Sequence, residues 1–346
     1  MKPTIRDVAK LAGVSISTVS RVMNAPESVA EGKREKVLQA IERLQYLPNA
    51  FARGLINKKS HTLGVLIPDI RNPYYAGVIR GMEDAAKALG YSIVICNTDR
   101  DKTRLISYLE NFNEKQVDGI LFTSETVYPD YYMEIRRFRL PVVLVSTHSL
   151  EYELASVKIN DEEAAYDAVS HLIGLGHRNI GMISLPLSDT IAGLPRYQGF
   201  MRAMREHGLP HDSGQVVCAE HWYDEAHSAA SRLFGQAPGL TAVFAASDEF
   251  AMGVLSYLHE RGLKVPGQVS VIGFDNIRMA QMTIPKLTTV AQPVYKLGYT
   301  GVEKLHELIE HGRVQPLREY LPHELIIRSS TAPVRERGET PPFLPL

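Results

Sequence analysis

The first 60 residues show the spacing of apolar side chains that is typical of short amphipathic helices. One apolar stripe follows Thr4, a favourable N-cap, and consists of Ile5, Val8, Ala9 and Ala12. Gly13 is expected to end that helix, and Ser15 to cap a second one that ends near Met23. A longer amphipathic segment, EGKREKVLQAIERLQYLP, predicts a third helix that stops before Pro48. The start of the chain is therefore predicted to be entirely α-helical.

From Thr62 the pattern changes to short continuous apolar runs separated by helical stretches. TLGVLIP, YSIVICN, VDGILFT and PVVLVS form one set, and NIGMIS, TAVFAA and QVSVIGF form a second. The helices predicted in the second half are 162–175, 195–207, 249–261 and 294–311. Because buried parallel strands read as unbroken apolar runs, the pattern predicts an α/β fold with two parallel sheets in tandem. The polar, Pro-rich end of the chain, 331–346, is predicted to be a disordered tail.

Charge is distributed unevenly along the chain. Residues 1–60 carry 11 Lys and Arg against 5 Asp and Glu, whereas the remainder carries 27 against 34. A basic head on a mildly acidic body predicts that the head meets a polyanion, and a solvated basic face without a partner is the alternative. Since no apolar run is long enough for a membrane helix or a secretion signal, a cytoplasmic protein is expected. The two cysteines, Cys96 and Cys218, are expected to be buried thiols in a reducing compartment, with a disulfide or a metal-binding pair as the alternative.

The predicted helix, turn at Gly13 and second helix form a helix-turn-helix, whose second helix enters the major groove of DNA. That second helix, VSISTVSRVMN, is unusually rich in Ser and Thr. Short hydroxyl side chains keep a groove-facing surface slim and hydrogen bond to phosphates or base edges. A capped surface helix without a DNA role is the alternative interpretation.

These segments, with several further along the chain, resemble the lactose-repressor (LacI/GalR) family of bacterial transcription regulators. The resemblance spans roughly residues 3–330, and the motifs that carry it are TIRDVAKLAGVSISTVSRVMN, REKVLQAIERLQYLPNAFARGL, LGVLIPDIRNPYY, GHRNIGMIS, AASDEFAMGVLSYLHERGLKVPGQVSVIGFDN and LTTVAQP. It implies a DNA-binding head over 1–60 and a two-lobed, periplasmic-binding-protein-like core over 61–330. The expected lobes are 61–160 with 291–320, and 161–290 with 321–330.

The resemblance assigns DNA-binding roles within the head. Ile16 and Ser17 match the family's base-reading pair, and Arg21 matches another groove contact, with a simple phosphate contact as the alternative. Since Ile16 has no hydrogen-bonding group, it would read only a thymine methyl or DNA shape. The phosphate-binding or capping positions are Thr4, Ser15, Thr18, Ser20 and Asn24. A hinge helix is expected from Asn49 over about 49–58, with Leu55 as the residue that wedges into the minor groove.

In the core, ligands of open α/β sheets sit beyond the carboxyl ends of the strands, here in the cleft between the lobes. The candidate effector-binding residues are Asp69, Tyr74, Tyr75, Ser124, Ser146, Arg196, His221, Trp222, Ser247, Asp248, Asp275 and Gln292. Carboxylates and guanidinium groups bind sugar hydroxyls strongly, and aromatic faces suit the apolar face of a sugar ring. The alternative for Asp248 and Asp275 is that each merely caps the helix that follows it.

One branch of the family binds a phosphorylated carrier protein through a charged patch on the first lobe. By resemblance the patch carries Asp, Arg and Arg at positions where this chain has Lys296, Glu303 and Glu324. All three signs are reversed, so this partner is not expected. A mono- or disaccharide, a near-palindromic operator and a second copy of the chain are the expected partners.

Two motifs resemble catalytic or cofactor-binding motifs, but their residues have the wrong spacing. The histidines of HELIEH are five residues apart, off one helix face, and GLGHRNIG is not a dinucleotide-binding glycine motif. We therefore expect no enzyme, no metal and no cofactor, but a repressor that a sugar releases from DNA. A corepressor-dependent regulator, using a purine or a phosphoprotein, and a sugar-binding protein without a DNA role remain alternatives.

Overall fold

The computed structural model describes residues 3–46, 59–210, 213–220 and 223–334, and the chain divides into two units between residues 61 and 62. The predicted hinge with Asn49 and Leu55, the residues His221 and Trp222, and residues 335–346 of the predicted tail lie outside the described residues.

The head has three helices, as the apolar spacing predicts. They are α1 (Ile5–Ala12), α2 (Ile16–Asn24) and α3 (Glu31–Leu44). Thr4 caps α1 in a reciprocal capping box, since its backbone N–H donates to the Asp7 carboxylate at 2.8 Å. Gly13 ends the helix with φ at 64°, a left-handed conformation that glycine adopts without steric penalty. The small core of the head includes Val8, Val19, Val22, Val37 and Ala40.

The second unit contains two six-stranded sheets. The first has the strands β1 (Thr62–Ile67), β2 (Ser92–Asn97), β3 (Gly119–Thr123), β4 (Val142–Val145), β5 (Ala155–Lys158) and β11 (Arg318–Tyr320). The second has β6 (Ile180–Ser184), β7 (Val216–Cys218), β8 (Ala242–Ala245), β9 (Ser270–Asp275), β10 (Thr288–Ala291) and β12 (Glu324–Ile326). Their strand orders are β11-β5-β4-β3-β1-β2 and β12-β10-β9-β8-β6-β7.

Eight helices of this unit are described. They are α4 (Tyr74–Ala88), α5 (Lys102–Glu114), α6 (Pro129–Phe138), α7 (Asp161–Gly174), α8 (Gly193–Glu206), α9 (Tyr223–Gln236), α10 (Asp248–Glu260) and α11 (Val294–His311). We call the first sheet with α4–α6 and α11 the first lobe, and the second sheet with α7–α10 the second lobe.

The two sheets are parallel throughout with one exception. The edge strand β12 runs antiparallel to β10, with Val290 opposite Leu325. The exception follows from the path of the chain, which passes between the sheets after β5, after β10 and after β11. On the last passage only residues 321–323 separate β11 from β12, so β12 starts at the edge where the other strands of the second sheet end and runs in the opposite direction, with Glu324 opposite Ala291.

Two sequence-based expectations for this unit are wrong. Cys218 is exposed at the end of the edge strand β7 and Cys96 is only partly buried, although both are free thiols. The predicted tail also begins too early, because residues 331–334 are bound to the second lobe. The backbone N–H of Val334 donates to the carbonyl of Leu175, and the Ala332 carbonyl accepts from the imidazole of His177. No described helix is both long enough and apolar enough to span a membrane.

Close backbone contact joins α4 to α11. A Cβ atom at Gly298 would overlap the carbonyl oxygen of Val78, and one at Gly81 would overlap the carbonyl of Tyr295. By contrast, a Cβ at Gly235 in α9 would meet nothing within 4 Å.

We therefore predict that Gly298→Ala lowers the free energy of unfolding by about 1–3 kcal/mol, because the helices must separate. Gly235→Ala should raise it by about 0.5–1 kcal/mol, since alanine is the better helix former. Urea denaturation of the two variants measures both effects. Equal stability changes would contradict the close-contact interpretation.

Candidate effector cleft and DNA-reading helix

The carboxyl ends of both sheets face one cleft, which encloses a cavity of about 80 Å³. Of the predicted effector residues, eight line it: Tyr74, Tyr75, Ser124, Ser146, Arg196, Ser247, Asp275 and Gln292. They come from both lobes and from the segment that joins β10 to α11.

A chain of hydrogen bonds crosses the cleft wall. The Tyr74 hydroxyl lies 2.7 Å from the Ser146 hydroxyl and donates to the Gln292 side-chain carbonyl at 3.3 Å. The Gln292 amide in turn donates to the Asp275 carboxylate at 2.8 Å. Ser146 and Tyr74 belong to the first lobe and Asp275 to the second, so Gln292 links the two lobes at the point where the chain crosses between them.

Behind this wall lies a buried ion-pair cluster. Arg196 donates to one carboxylate oxygen of Asp161 from Nε at 3.0 Å and from the terminal guanidinium at 2.8 Å. Lys158 lies 3.0 Å from the other oxygen. Burial raises the pKa of Asp161, but the charges of Lys158 and Arg196 outweigh it and hold that pKa below its ordinary value. The Arg196 guanidinium also stacks 3.7 Å from the ring centroid of Phe274.

Two carboxylates of the cleft are shifted in the opposite direction. Burial raises the pKa of Asp275 to about 6, although Arg196, 3.8 Å away, and the Gln292 amide oppose the shift. Burial, with the charges of Asp275 and Asp69, raises the pKa of Glu249 to about 7. The pKa values of both carboxyl groups therefore lie near neutral pH. A ligand that donates a hydrogen bond to either carboxylate would stabilise its charged form.

Aromatic rings form the first-lobe side of the cleft. Tyr74 and Tyr75 pack edge to face with ring centroids 5.4 Å apart. Burial raises the pKa of the Tyr75 hydroxyl to about 12, so it remains a neutral donor and acceptor. Such a wall offers both an apolar ring face and a hydroxyl to a sugar.

The strand ends carry backbone strain at the predicted positions. Asp275, Ser124 and Ser146 have φ values of 114°, 47° and 58°, which residues with a Cβ rarely adopt. Each lies just after, or at the last residue of, a buried strand. Strained residues of this kind cluster at ligand sites, which is consistent with a binding role for the cleft.

Two predicted effector residues do not line the cleft. Asp248 is completely buried, and its oxygens accept from the backbone N–H of Ile277 at 2.8 Å and from the Thr289 hydroxyl. It is therefore a structural residue, and Ser247 is the cap of α10, where its hydroxyl accepts from the Phe250 N–H. Asp69 is turned to Arg71, with which it forms a two-pronged ion pair.

The capping alternative for Asp275 is also wrong. The residue preceding the short helical turn 278–281 is Ile277, and no side-chain cap bond forms there. The Asp275 side chain points instead to Gln292 and Arg196.

Sequence reasoning missed Lys158, Asp161, Asp189 and Glu249, which also line the cleft. A signal existed for the first pair. Lys158 is the only charged residue of the strand run ASVKIN, and a lysine at the end of a buried strand requires a buried partner. Asp161 follows three residues later.

In the head, α2 presents Ile16, Ser17 and Arg21 as exposed side chains, while Val19 is fully buried. Ile16 is 45% exposed, which is similar to the exposure of Leu11 (43%) and Leu38 (51%) in the same head. Ser15 accepts from the Thr18 N–H and lies 2.8 and 2.9 Å from the hydroxyls of Ser17 and Thr18. The hydroxyls of α2 therefore form a capping cluster at the start of the helix.

The remaining predicted DNA-contact residues lie in different environments. Thr4 donates its hydroxyl to Asp7 at 2.7 Å, so it acts as a cap, and Ser20 is half-buried. Asn24 is the last residue of α2.

The raised pKa of Asp275 yields a stability prediction. Because the folded-state value of about 6 lies above the ordinary 3.8, the ionised carboxylate destabilises the native state. This penalty is complete above pH 6 and disappears as the pH falls below 4. Asp275→Asn should therefore raise the free energy of unfolding by about 1–3 kcal/mol at pH 7.5 and by much less at pH 4.5. Urea denaturation at both pH values decides it, and a loss of stability at pH 7.5 would contradict the assignment.

Comparison with known proteins gives matches along the whole chain. Residues 4–49 match the lacI family of bacterial regulatory proteins, and residues 169–331 match a periplasmic binding protein-like domain. Catabolite control protein A of Priestia megaterium is 41% identical over 331 residues, which is 96% of this chain and all of that protein.

Two solved structures have the same architecture. The lac repressor dimer bound to operator and the anti-inducer ONPF superposes with a TM-score of 0.85 at 26% identity, over 96% of this chain and 100% of that one. The transcriptional regulator CelR in complex with cellobiose gives 0.74 at 30% identity, over 95% and 99%. With its helix-turn-helix head and two-sheet core, this chain belongs to the lacI family of DNA-binding bacterial transcriptional regulators.

Proposed function

We propose that the protein is a homodimeric repressor that binds a near-palindromic operator and is released from it by an uncharged mono- or disaccharide. The observation that carries this proposal is the cleft between the lobes, where Tyr74, Tyr75, Asp275 and Gln292 combine aromatic faces with strong hydrogen-bonding groups. Cellobiose in the related CelR complex supports a saccharide as the ligand class. A regulator of this kind works in the cytoplasm on nucleoid DNA, and we assign it no catalytic role.

The proposed mechanism follows from the Gln292 link between the lobes. A sugar that donates to the Asp275 carboxylate and accepts from the Gln292 amide replaces the bond between them and thereby changes how the lobes are joined. Because binding effects are reciprocal, operator binding must weaken sugar affinity by the same factor by which the sugar weakens operator affinity. The hinge predicted around Leu55 would pass this change to the DNA.

A corepressor-dependent regulator is the second candidate. The sequence leaves this candidate open, and no described contact within the cleft favours it. The sign of the ligand effect separates the two candidates, since an inducer releases the operator and a corepressor retains it. A thermal-shift screen of mono- and disaccharides, including cellobiose, followed by an operator-shift assay, gives that sign.

A phosphorylated carrier protein is not proposed as a partner. Lys296, Glu303 and Glu324 are all exposed, so their reversed charges would face such a partner directly. Glu324 lies in β12 of the second sheet, within the segment 321–330 that was expected in the second lobe, whereas Lys296 and Glu303 lie in α11. Like charges across an interface cost several kcal/mol.

For the cleft, we expect Asp275→Ala to abolish sugar-dependent release of the operator while leaving operator affinity within twofold of the wild type. The reason is that the variant removes the charged acceptor for sugar hydroxyls without touching the head. Asp84→Ala, which removes a partly exposed carboxylate of α4 outside the cleft lining, serves as the control and should respond like the wild type. An unchanged response of Asp275→Ala would show that the carboxylate has no part in effector binding.

For the head, we expect Arg21→Ala to reduce the preference for the operator over scrambled DNA by at least about 10-fold, because base contacts carry specificity. Lys33→Ala, at the exposed start of α3, removes the same charge and should weaken both DNAs about equally. Fluorescence anisotropy with the two duplexes measures the ratio. If Arg21→Ala also weakens both equally, Arg21 is a phosphate contact.

A further inference from the structure

The cluster of Lys158, Asp161 and Arg196 defines the electrostatic character of the cleft. All three side chains line it, yet they are only 4%, 6% and 7% exposed. Lys158 comes from the end of β5 in the first lobe, whereas Asp161 and Arg196 begin α7 and lie in α8 of the second lobe. The cluster therefore joins the lobes at the base of the cleft.

Asp161 pairs with both cations at once. One of its oxygens accepts two bonds from Arg196, and the other accepts from Lys158. The remaining hydrogen bonds of the cations go to backbone carbonyls, from Arg196 to Ala246 at 2.6 Å and from Lys158 to Ile191 at 3.2 Å. With Asp275, which lies 3.8 Å from Arg196, two carboxylates balance the two cations, so the cluster has no net positive charge to attract an anion.

The other charged groups of the lining do not restore a positive field. Arg100 is exposed, and it is outnumbered by the carboxylates of Asp189 and Glu249. An anionic ligand would thus meet more carboxylates than cations in a partly desolvated cleft, where like charges repel strongly.

We propose that Asp161 is a specificity-determining residue, which makes this cleft reject phosphorylated and acidic sugars and accept uncharged ones. The inference rests on the proposed function, in that the cleft is taken as the effector site. Without the Asp161 carboxylate, Lys158 and Arg196 would be two buried cations with a neutral group between them, and only Asp275, 3.8 Å from Arg196, would remain as a charged partner. Such a pair is well suited to a phosphate group, because guanidinium and ammonium groups are the usual phosphate ligands of proteins.

A purely structural role for Asp161 gives a different expectation. Removing one partner of a buried ion pair destabilises a protein wherever the pair lies. The chain offers a matched case in Lys304, which is 5% exposed and pairs with Glu319 at 2.9 Å. Lys304 lies in α11, outside the cleft lining, so loss of its partner should lower stability without creating a ligand site.

The test compares Asp161→Asn, Glu319→Gln and the wild type in the full-length protein. Thermal shift and calorimetry are run with D-glucose, D-glucose 6-phosphate and inorganic phosphate at constant ionic strength. We expect Asp161→Asn to bind D-glucose 6-phosphate or phosphate at least about 100-fold more tightly than the wild type does. Glu319→Gln should gain no response to either anion.

Several outcomes would overturn the inference. They are an Asp161→Asn variant that folds and ignores both anions, equal gains in Asp161→Asn and Glu319→Gln, and a wild type that binds D-glucose 6-phosphate as tightly as the variant does. If Asp161→Asn does not fold in chloride buffer, refolding of Asp161→Asn and Asp161→Ser is compared in phosphate and chloride. Recovery in phosphate supports the inference, and failure in both buffers contradicts it.

These results are distinguishable from a failure of the proposed function. If no uncharged sugar releases the wild type from its operator, the sugar-inducer proposal fails. The gain of anion binding in Asp161→Asn would still establish what excludes anions from the cleft.

Discussion

Everything in the core depends on one constraint, which is that the chain passes three times between its two sheets. Each passage leaves the carboxyl end of a strand, or returns to it, at the same cleft. Polar residues of the passages and their flanks are therefore brought together from distant parts of the sequence. Gln292 and Asp161 lie beside two of these passages, and each bonds to side chains from other elements. The binding site and the connection between the lobes are consequently built from the same residues.

This arrangement explains why the cleft stores unfavourable free energy. Burying Asp275 raises its pKa to about 6, and burying Glu249 beside it raises that pKa to about 7. The strained backbone at Ser124, Ser146 and Asp275 adds to the same effect. A ligand with several hydroxyl groups donates hydrogen bonds to the buried carboxylates and so lowers the free-energy cost of their burial. The free energy gained in this way adds to the binding affinity. Cleft residues are accordingly expected to be selected for response rather than for stability.

Much of this could be predicted from the sequence, for reasons that differ between elements. The helices of the head follow from apolar spacing and from the caps Thr4, Ser15 and Gly13, which are local signals. Cleft residues that follow unbroken apolar strands, such as Ser146 and Asp275, were found because parallel strands all end at one edge. Asp248 and Asp69 satisfy the same rule but bond elsewhere, since position after a strand does not fix the direction of a side chain. The pairing of Asp161 with Arg196 required the fold, because these two residues are 35 positions apart in the sequence, whereas Lys158 and Asp161 are only three apart. The antiparallel β12 was missed because a short connector between edge strands carries no periodic signal.

The end of the described chain has a consequence for how this protein can be handled. Residues 328–334 cross the amino edge of the second sheet, where the Ser330 hydroxyl donates to the Val271 carbonyl and accepts from the N–H of Thr288. His177 reaches the same segment, with Nε2 3.0 Å from the Ser270 hydroxyl and 3.1 Å from the Ala332 carbonyl. This segment therefore completes the second lobe, and hydrogen bonds join it to α7, β9 and β10. An affinity tag or reporter joined beyond Val334 leaves these hydrogen bonds intact. A protein truncated before Ser330 loses them and exposes this edge of the second sheet to solvent.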